Sequence, residues 1–313
     1  MIISRRTSLS LAVAWNLTRI SSGFTSFQIL RRTPLHYSSS FLQTLATPTE
    51  SLHNVNGIIC REVPIEIANI GTLKILEATA ESQDALVEIA CATEQELQNQ
   101  ISFKVNSGDI YGSVLWPAAS AVSDHLQSID LDNKIVLELG TGTGLCALSA
   151  ALSGAKCVLA TDYEEIPLDL LRYAIDHLYD SDQKEKLQTI ETSLLDICQH
   201  DVPLPKADIV IAADIMYEPK TGEATAVRTL EALKAGSRVI IGCSPGRPGR
   251  PYFLKKLKEL LPGVDIEFEI VQGRTCSGDR NELICGKNST SVSDVPKALN
   301  VHLLDISPQD CNL

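Results

Sequence analysis

The sequence offers its chemistry in three glycines and a few acids. Glu138-Leu-Gly140-Thr141-Gly142-Thr-Gly144 packs three glycines into five residues behind the apolar run K-I-V-L-E-L, residues 134–139. Such a loop could cradle a dinucleotide pyrophosphate, a nucleoside triphosphate or the aminoacyl end of S-adenosylmethionine. A dinucleotide fingerprint, G-x-G-x-x-G, would place its last glycine one residue later. A P-loop would follow its glycine with lysine and then Ser or Thr, where this chain has Leu145-Cys146. Glu138 would repel a diphosphate but suits an α-ammonium, while the loop's backbone amides meet a carboxylate. Asp162 stands twenty residues after Gly142, where an acid accepts both hydroxyls of a ribose. S-adenosylmethionine carries all of these groups. Farther on, Asp214 with Tyr217 three residues later could orient an amine and help to remove its proton. The competing role for Asp214 is to cap the helix that follows.

The elements that must hold these residues alternate. Strand 134–139 leads through the glycines to a helix over 145–153, then to strand 156–162, a helix over about 166–179, and strands 188–193 and 207–214. A helix over about 221–235, strand 238–244 and a helix over 251–261 follow. Residues 265–271 and 281–287 have no helix between them and should pair as an antiparallel hairpin, bringing the count to seven strands. The expected fold is α/β: a Rossmann-like, doubly wound seven-stranded sheet, mostly parallel with an antiparallel terminal strand. Before it, Pro117 fits the first turn of a helix burying Ala118, Val122, Leu126 and Ile129. Residues 71–79 read as a strand, and 82–98 as a helix capped by Ser82. The expected division is therefore 50–110 as an N-terminal extension packing on the core, 111–287 as the catalytic domain and 288–313 as an irregular tail.

Residues 1–49 differ in kind, with five arginines, nine serines, no lysine and no acid. That is the composition of an organelle transit peptide or, more simply, of a disordered segment; as an address the mitochondrion stands ahead of the plastid, with a cytoplasmic location as the alternative. Without this segment the formal charge falls from −12 to −17. So acidic a body repels phosphate backbones, which argues against nucleic acid and for a basic protein surface as partner. No run approaches the roughly 20 apolar residues of a membrane span. The nine cysteines form no C-x-x-C pair and several lie in apolar runs, so they are expected to be reduced and structural; the six histidines make no metal-ligand spacing.

E-L-G-T-G-T-G, A-T-D-Y, S-L-L-D-I and A-A-D-I-M-Y together resemble the seven-β-strand, class I S-adenosylmethionine-dependent methyltransferases. Within them the chain is similar, over about residues 71–287, to the family-16 protein lysine methyltransferases, which carry a Trp-Pro motif, the glycine loop and D-x-x-Y. The resemblance implies that Trp116 lines the methionine side of the cofactor and that Asp196 and Ile197 meet the adenine. It also implies that Ala213 and Asp214 close the site, with Tyr163 among the cofactor-binding residues. A core tryptophan and a turn acid are the simpler roles for Trp116 and Asp196. Asp-Ile-Met-Tyr in place of Asn/Asp-Pro-Pro-aromatic favours a lysine acceptor, with histidine acceptors occurring in related proteins. The segment I-G-C-S-P-G-R-P-G-R-P, 241–251, is similar to the G-x-P-G-R-P stretch of the mitochondrial lysine methyltransferases of electron transfer flavoprotein β subunit, with Cys-Ser inserted and a second Gly-Arg-Pro added. This raises substrate contact by Arg247 or Arg250, against simple loop shaping. The rival functions are a small-molecule methyltransferase lidded by 50–110, a non-catalytic cofactor-binding module and, more distantly, an oxidoreductase.

Overall fold

The computed structural model describes residues 51–86, 112–274 and 300–313. The arginine-rich segment 1–49, most of the helix expected over 82–98 and the strand expected at 281–287 lie outside the described residues. Strands β1 (Leu52–Val55), β2 (Ile58–Ile67) and β3 (Gly71–Ala78) form an antiparallel three-stranded sheet. Its first turn is Asn56-Gly57, both at positive φ, as a two-residue hairpin turn requires. A helical segment begins at residue 80, two residues before the expected cap. Thr79 does the capping, its hydroxyl accepting the Ser82 N–H at 3.4 Å, while Ser82 lies inside the helix.

The main sheet is built from β4 (Ile135–Leu139), β5 (Cys157–Asp162), β6 (Ile190–Leu194), β7 (Ile209–Ala213), β8 (Arg238–Cys243), β9 (Glu269–Gln272) and β10 (Asn300–Ile306). They lie in the order β6-β5-β4-β7-β8-β10-β9. The helices are α1 (Pro117–Leu126), α2 (Leu145–Leu152), α3 (Glu165–Leu178), α4 (Ser181–Leu187), α5 (Pro219–Lys234) and α6 (Arg250–Leu260). Successive strand residues point to opposite faces, so both faces are apolar. On β4, Val136 joins the core shared with α1 and α2, whereas Leu137 and Leu139 join the core shared with α5 and α6. Val63, Ile65, Leu73 and Ile75 of the small sheet are part of the first core, so residues 51–78 form a fixed layer.

The expectations from sequence fail in three places. The short polar helix α4, capped by the Asp180 carboxylate accepting the Gln183 N–H at 2.9 Å, has too little apolar periodicity to be read. The tail taken as irregular contains β10 and a 3-10 turn, Pro308–Cys311. It is β10 that pairs antiparallel with both β8 and β9, Leu304 opposite Ile241 and Val301 opposite Val271. The seven-stranded sheet with one reversed strand stands, but its last member comes from 300–306, and the domain therefore runs past residue 287. Pairing between strands this far apart leaves no local mark in either.

From β4 the chain winds outward through β5 and β6, then returns to β7 beside β4 and winds the other way. That reversal opens a crevice at the carboxyl ends of β4 and β7, the usual ligand position in such sheets. Among the described residues no helix is long and apolar enough to cross a membrane, and no cluster of His, Cys, Asp or Glu could hold a metal ion. Six cysteines among the described residues are free thiols, and burial pushes those of Cys60 and Cys243 up to about 12, out of reach of reaction near neutrality.

Candidate active site at the carboxyl ends of β4 and β7

The glycine loop leaves β4 and enters α2. Gly140 has φ +71°, and a Cβ there would lie 2.5 Å from Cγ2 of Ile215, so this position must be glycine for the D-I-M-Y segment to approach it. Beneath the loop, Glu138 is 1% exposed, and its Oε2 accepts the Thr141 hydroxyl at 2.6 Å. Burial raises its pKa to about 8; bonds from Thr141, Cys146 and the Ala147 amide lower it in part, and the nearby Asp162 charge raises it further. The carboxyl that the sequence marks for an ammonium is thus held in place by the loop itself. It has no salt-bridge partner among the described residues.

Asp162 ends β5 and ties the same loop from the other side. Its Oδ2 accepts the Gly142 N–H at 3.1 Å and its Oδ1 those of Tyr163 and Glu164 at 2.8 and 3.4 Å. Beyond it, Tyr163 and Leu194 are exposed large apolar side chains, Leu194 being the register partner of Asp162. Asp196 forms a turn, Oδ1 accepting the Cys198 N–H at 2.8 Å. Ile197 is half-buried, and its carbonyl accepts the Arg228 Nε–H at 3.0 Å. Arg228 is 1% exposed and also binds the Gln199 carbonyl, so it fixes the whole 196–199 turn. Nothing in the sequence distinguished it from a solvated helix arginine.

Across the crevice, Ala213 ends β7 half-buried and Asp214 follows at φ +59°, a left-handed conformation that Asp tolerates better than most residues. Its carboxylate accepts four donors. Oδ1 takes the Ser244 N–H at 2.7 Å and Arg247 Nε–H at 3.0 Å; Oδ2 takes the Ser244 hydroxyl at 2.7 Å and the Ala118 N–H at 3.1 Å. Asp214 does cap a helix, but the one it caps is α1 rather than the helix that follows. Trp116, half-buried, precedes α1, and the Arg247 guanidinium carbon sits 4.2 Å from the centre of its ring. Tyr217 is half-buried at the end of the same segment. Arg250, the second arginine of the repeat, instead lies 5.1 Å over Phe268. One more acid, unread in the sequence, supports this side: Glu77 is fully buried, its Oε1 accepting the Leu115 N–H at 2.7 Å just before Trp116.

A glycine loop opening onto the crevice of a seven-stranded sheet with one reversed strand is the architecture of the S-adenosylmethionine-dependent methyltransferases. A family model described as lysine methyltransferase matches residues 95–260, more than half of the 313-residue chain, and the chain belongs to that family. It is an S-adenosylmethionine-dependent methyltransferase. The protein N-terminal and lysine N-methyltransferase EFM7 of Kluyveromyces lactis is 24% identical over 192 residues, 53% of this chain and 69% of that protein. The protein N-lysine methyltransferase METTL21A of Danio rerio is 28% identical over 162 residues, 50% of this chain and 72% of that protein. The histone-arginine methyltransferase METTL23 of Mus musculus is 32% identical over 118 residues, 36% of this chain, which spans 44% of that protein.

Proposed function

We propose that the protein methylates a lysine side chain of a protein substrate at the β4–β7 crevice. The observation that carries this reading is the pairing of a buried acid without a cation, Glu138 under the glycine loop, with a separate acid cluster around Asp214 across the crevice. The first suits a cationic donor, and the second is a fixed wall for the acceptor side. Residues fitted to hold the donor are the Gly140, Thr141, Gly142 and Gly144 backbone with Glu138 at the methionine end, flanked by Trp116 and Ala213. Asp162 and Tyr163 suit the ribose and the near face of the adenine, and Asp196 and Ile197 its far edge. The cofactor supplies an electrophilic methyl group when bound. Bound there, the cofactor would supply the methyl carbon and its sulfur would be the leaving group, so a lysine acceptor must reach the site as a neutral amine. The protein's part is alignment and exclusion of water, with Asp214 and Tyr217 on the acceptor side.

The acidic body of the chain favours a basic protein surface over nucleic acid. The arginine-rich, acid-free residues 1–49 favour a mitochondrial address, which a fluorescent fusion of that segment would read. Tritiated methyl transfer to an organelle extract, followed by amino-acid analysis of the labelled proteins, tests the acceptor. Methyl-lysine is expected. Label confined to small molecules would overturn the reading, and label in arginine, histidine or an N-terminal amine would replace the acceptor.

A further inference from the structure

The loop after β8 and the D-I-M-Y segment behave as one unit. Gly249 donates its N–H to the Met216 carbonyl at 3.1 Å, and a Cβ on Gly249 would lie 2.2 Å from the Glu218 carbonyl oxygen, so the two stretches touch backbone to backbone. From this clamped loop Arg247 reaches into the cluster, 13% exposed, while the carboxylate it meets on Asp214 is 1% exposed. Its Nε is spent on Asp214 and its flat face on Trp116, while its buried Nη2 has no acceptor among the described residues. Asp214, in turn, has its four lone-pair directions taken by donors, one of them a cation, which leaves none for an incoming ammonium.

We propose that Arg247 is a positioning residue for methyl transfer, locking the Asp214 carboxylate on the acceptor side and the Trp116 ring at the methionine end of the donor into one rigid cluster. This rests on the lysine methyltransferase reading above. In this arrangement Asp214 anchors the acceptor side and does not take the proton; the lysine gives it up to bulk solvent before it enters the site and arrives as a neutral amine. Arginine suits this place and lysine does not, because only a guanidinium can both hydrogen-bond through Nε and stack its plane on an indole.

The test uses the full chain carrying Asp214→Asn, Arg247→Lys and both together, with initial rates of protein labelling, adenosylhomocysteine binding and thermal unfolding measured for each. Each single variant should lower the labelling rate at least 10-fold with adenosylhomocysteine affinity kept within about 3-fold, and the double variant should be no more than about 3-fold worse than the poorer single. The wild-type rate should climb with pH as the amine loses its proton, and Arg247→Lys should keep that shape. Multiplying losses in the double variant, an Arg247→Lys enzyme at the wild-type rate, or a loss matched by weaker adenosylhomocysteine binding would each overturn the proposal. A spectroscopic arm stands apart from the acceptor's identity. The chain has two tryptophans, so in a Trp15→Phe background Trp116 is the only emitter. Asp214→Asn and Arg247→Lys should shift its emission alike, and unshifted emission in both would also overturn the cluster. If the wild type labels no lysine but the shifts occur, the acceptor reading fails and the cluster survives.

Discussion

Two buried acids face each other across the crevice and are kept in opposite ways. Glu138, on β4, has a hydroxyl, a thiol and an amide for company and no cation, and burial lifts its pKa to about 8. Asp214, just past the adjacent strand β7, meets a guanidinium, a hydroxyl and two amides. The lesson is that a carboxyl group's neighbours set its task. An acid left without a countercharge holds its proton to higher pH, and on the proposed reading awaits a positive ligand, whereas an acid already paired is a fixture around which other groups are placed.

Removing each acid should break this contrast most sharply. Asp214→Ala leaves the Arg247 guanidinium buried and unpaired, and should cost about 3 kcal/mol or more of stability together with activity. Glu138→Gln exchanges a largely neutral acid for a neutral amide, so it should stay within about 1 kcal/mol in denaturant unfolding while weakening adenosylhomocysteine binding. Equal losses of stability in the two variants would erase the distinction.

A smaller effect should appear with pH. Because the folded state holds the Glu138 proton up to about 8 against an ordinary value of 4.5, its stabilising contribution is full below about 4.5 and declines as pH rises toward and through 8. Denaturation midpoints should fall over that range in the wild type and less in Glu138→Gln. A cationic ligand should draw the proton off, so cofactor binding at pH 7 should release a proton, measurable by calorimetry in buffers of different ionisation heat, and the variant should lose that release.

The smallest effect lies away from the crevice, where Asp305 on β10 binds Arg238 through both oxygens at 2.6 Å and His125 of α1 at 2.6 Å. Burial acts to raise its pKa, but the bonds and charges of His125 and Arg238 outweigh it and hold the group at about 2. Its contribution is therefore full above about 4 and lost as pH falls through about 2. Asp305→Asn should cost on the order of 1–2 kcal/mol at pH 7, between an exposed and a buried pair, and little at pH 2.

The glycine-loop half of the candidate site was the readable half. Glu138, the three glycines and Asp162 sit at strand ends and in a short loop, where spacing along the chain is spacing in the fold. The half around Asp214 could be read only as far as D-I-M-Y. Trp116 and Arg247 were both marked in the sequence, but nothing there placed one on the other, and Glu77 and Arg228 carried no mark at all. Likewise the alternation of strands and helices from 134 to 261 was plain apart from the polar helix α4, while β10 was taken for irregular tail.

By itself, then, the sequence determined the α/β alternation, the glycine turn and the acids at the strand ends, because each depends on residues within a turn or a strand of one another. Only the tertiary structure decided where β10 inserts and what Asp214 does. The partners of that carboxylate come from 96, 30 and 33 residues away, and no local periodicity records a contact that packing alone creates.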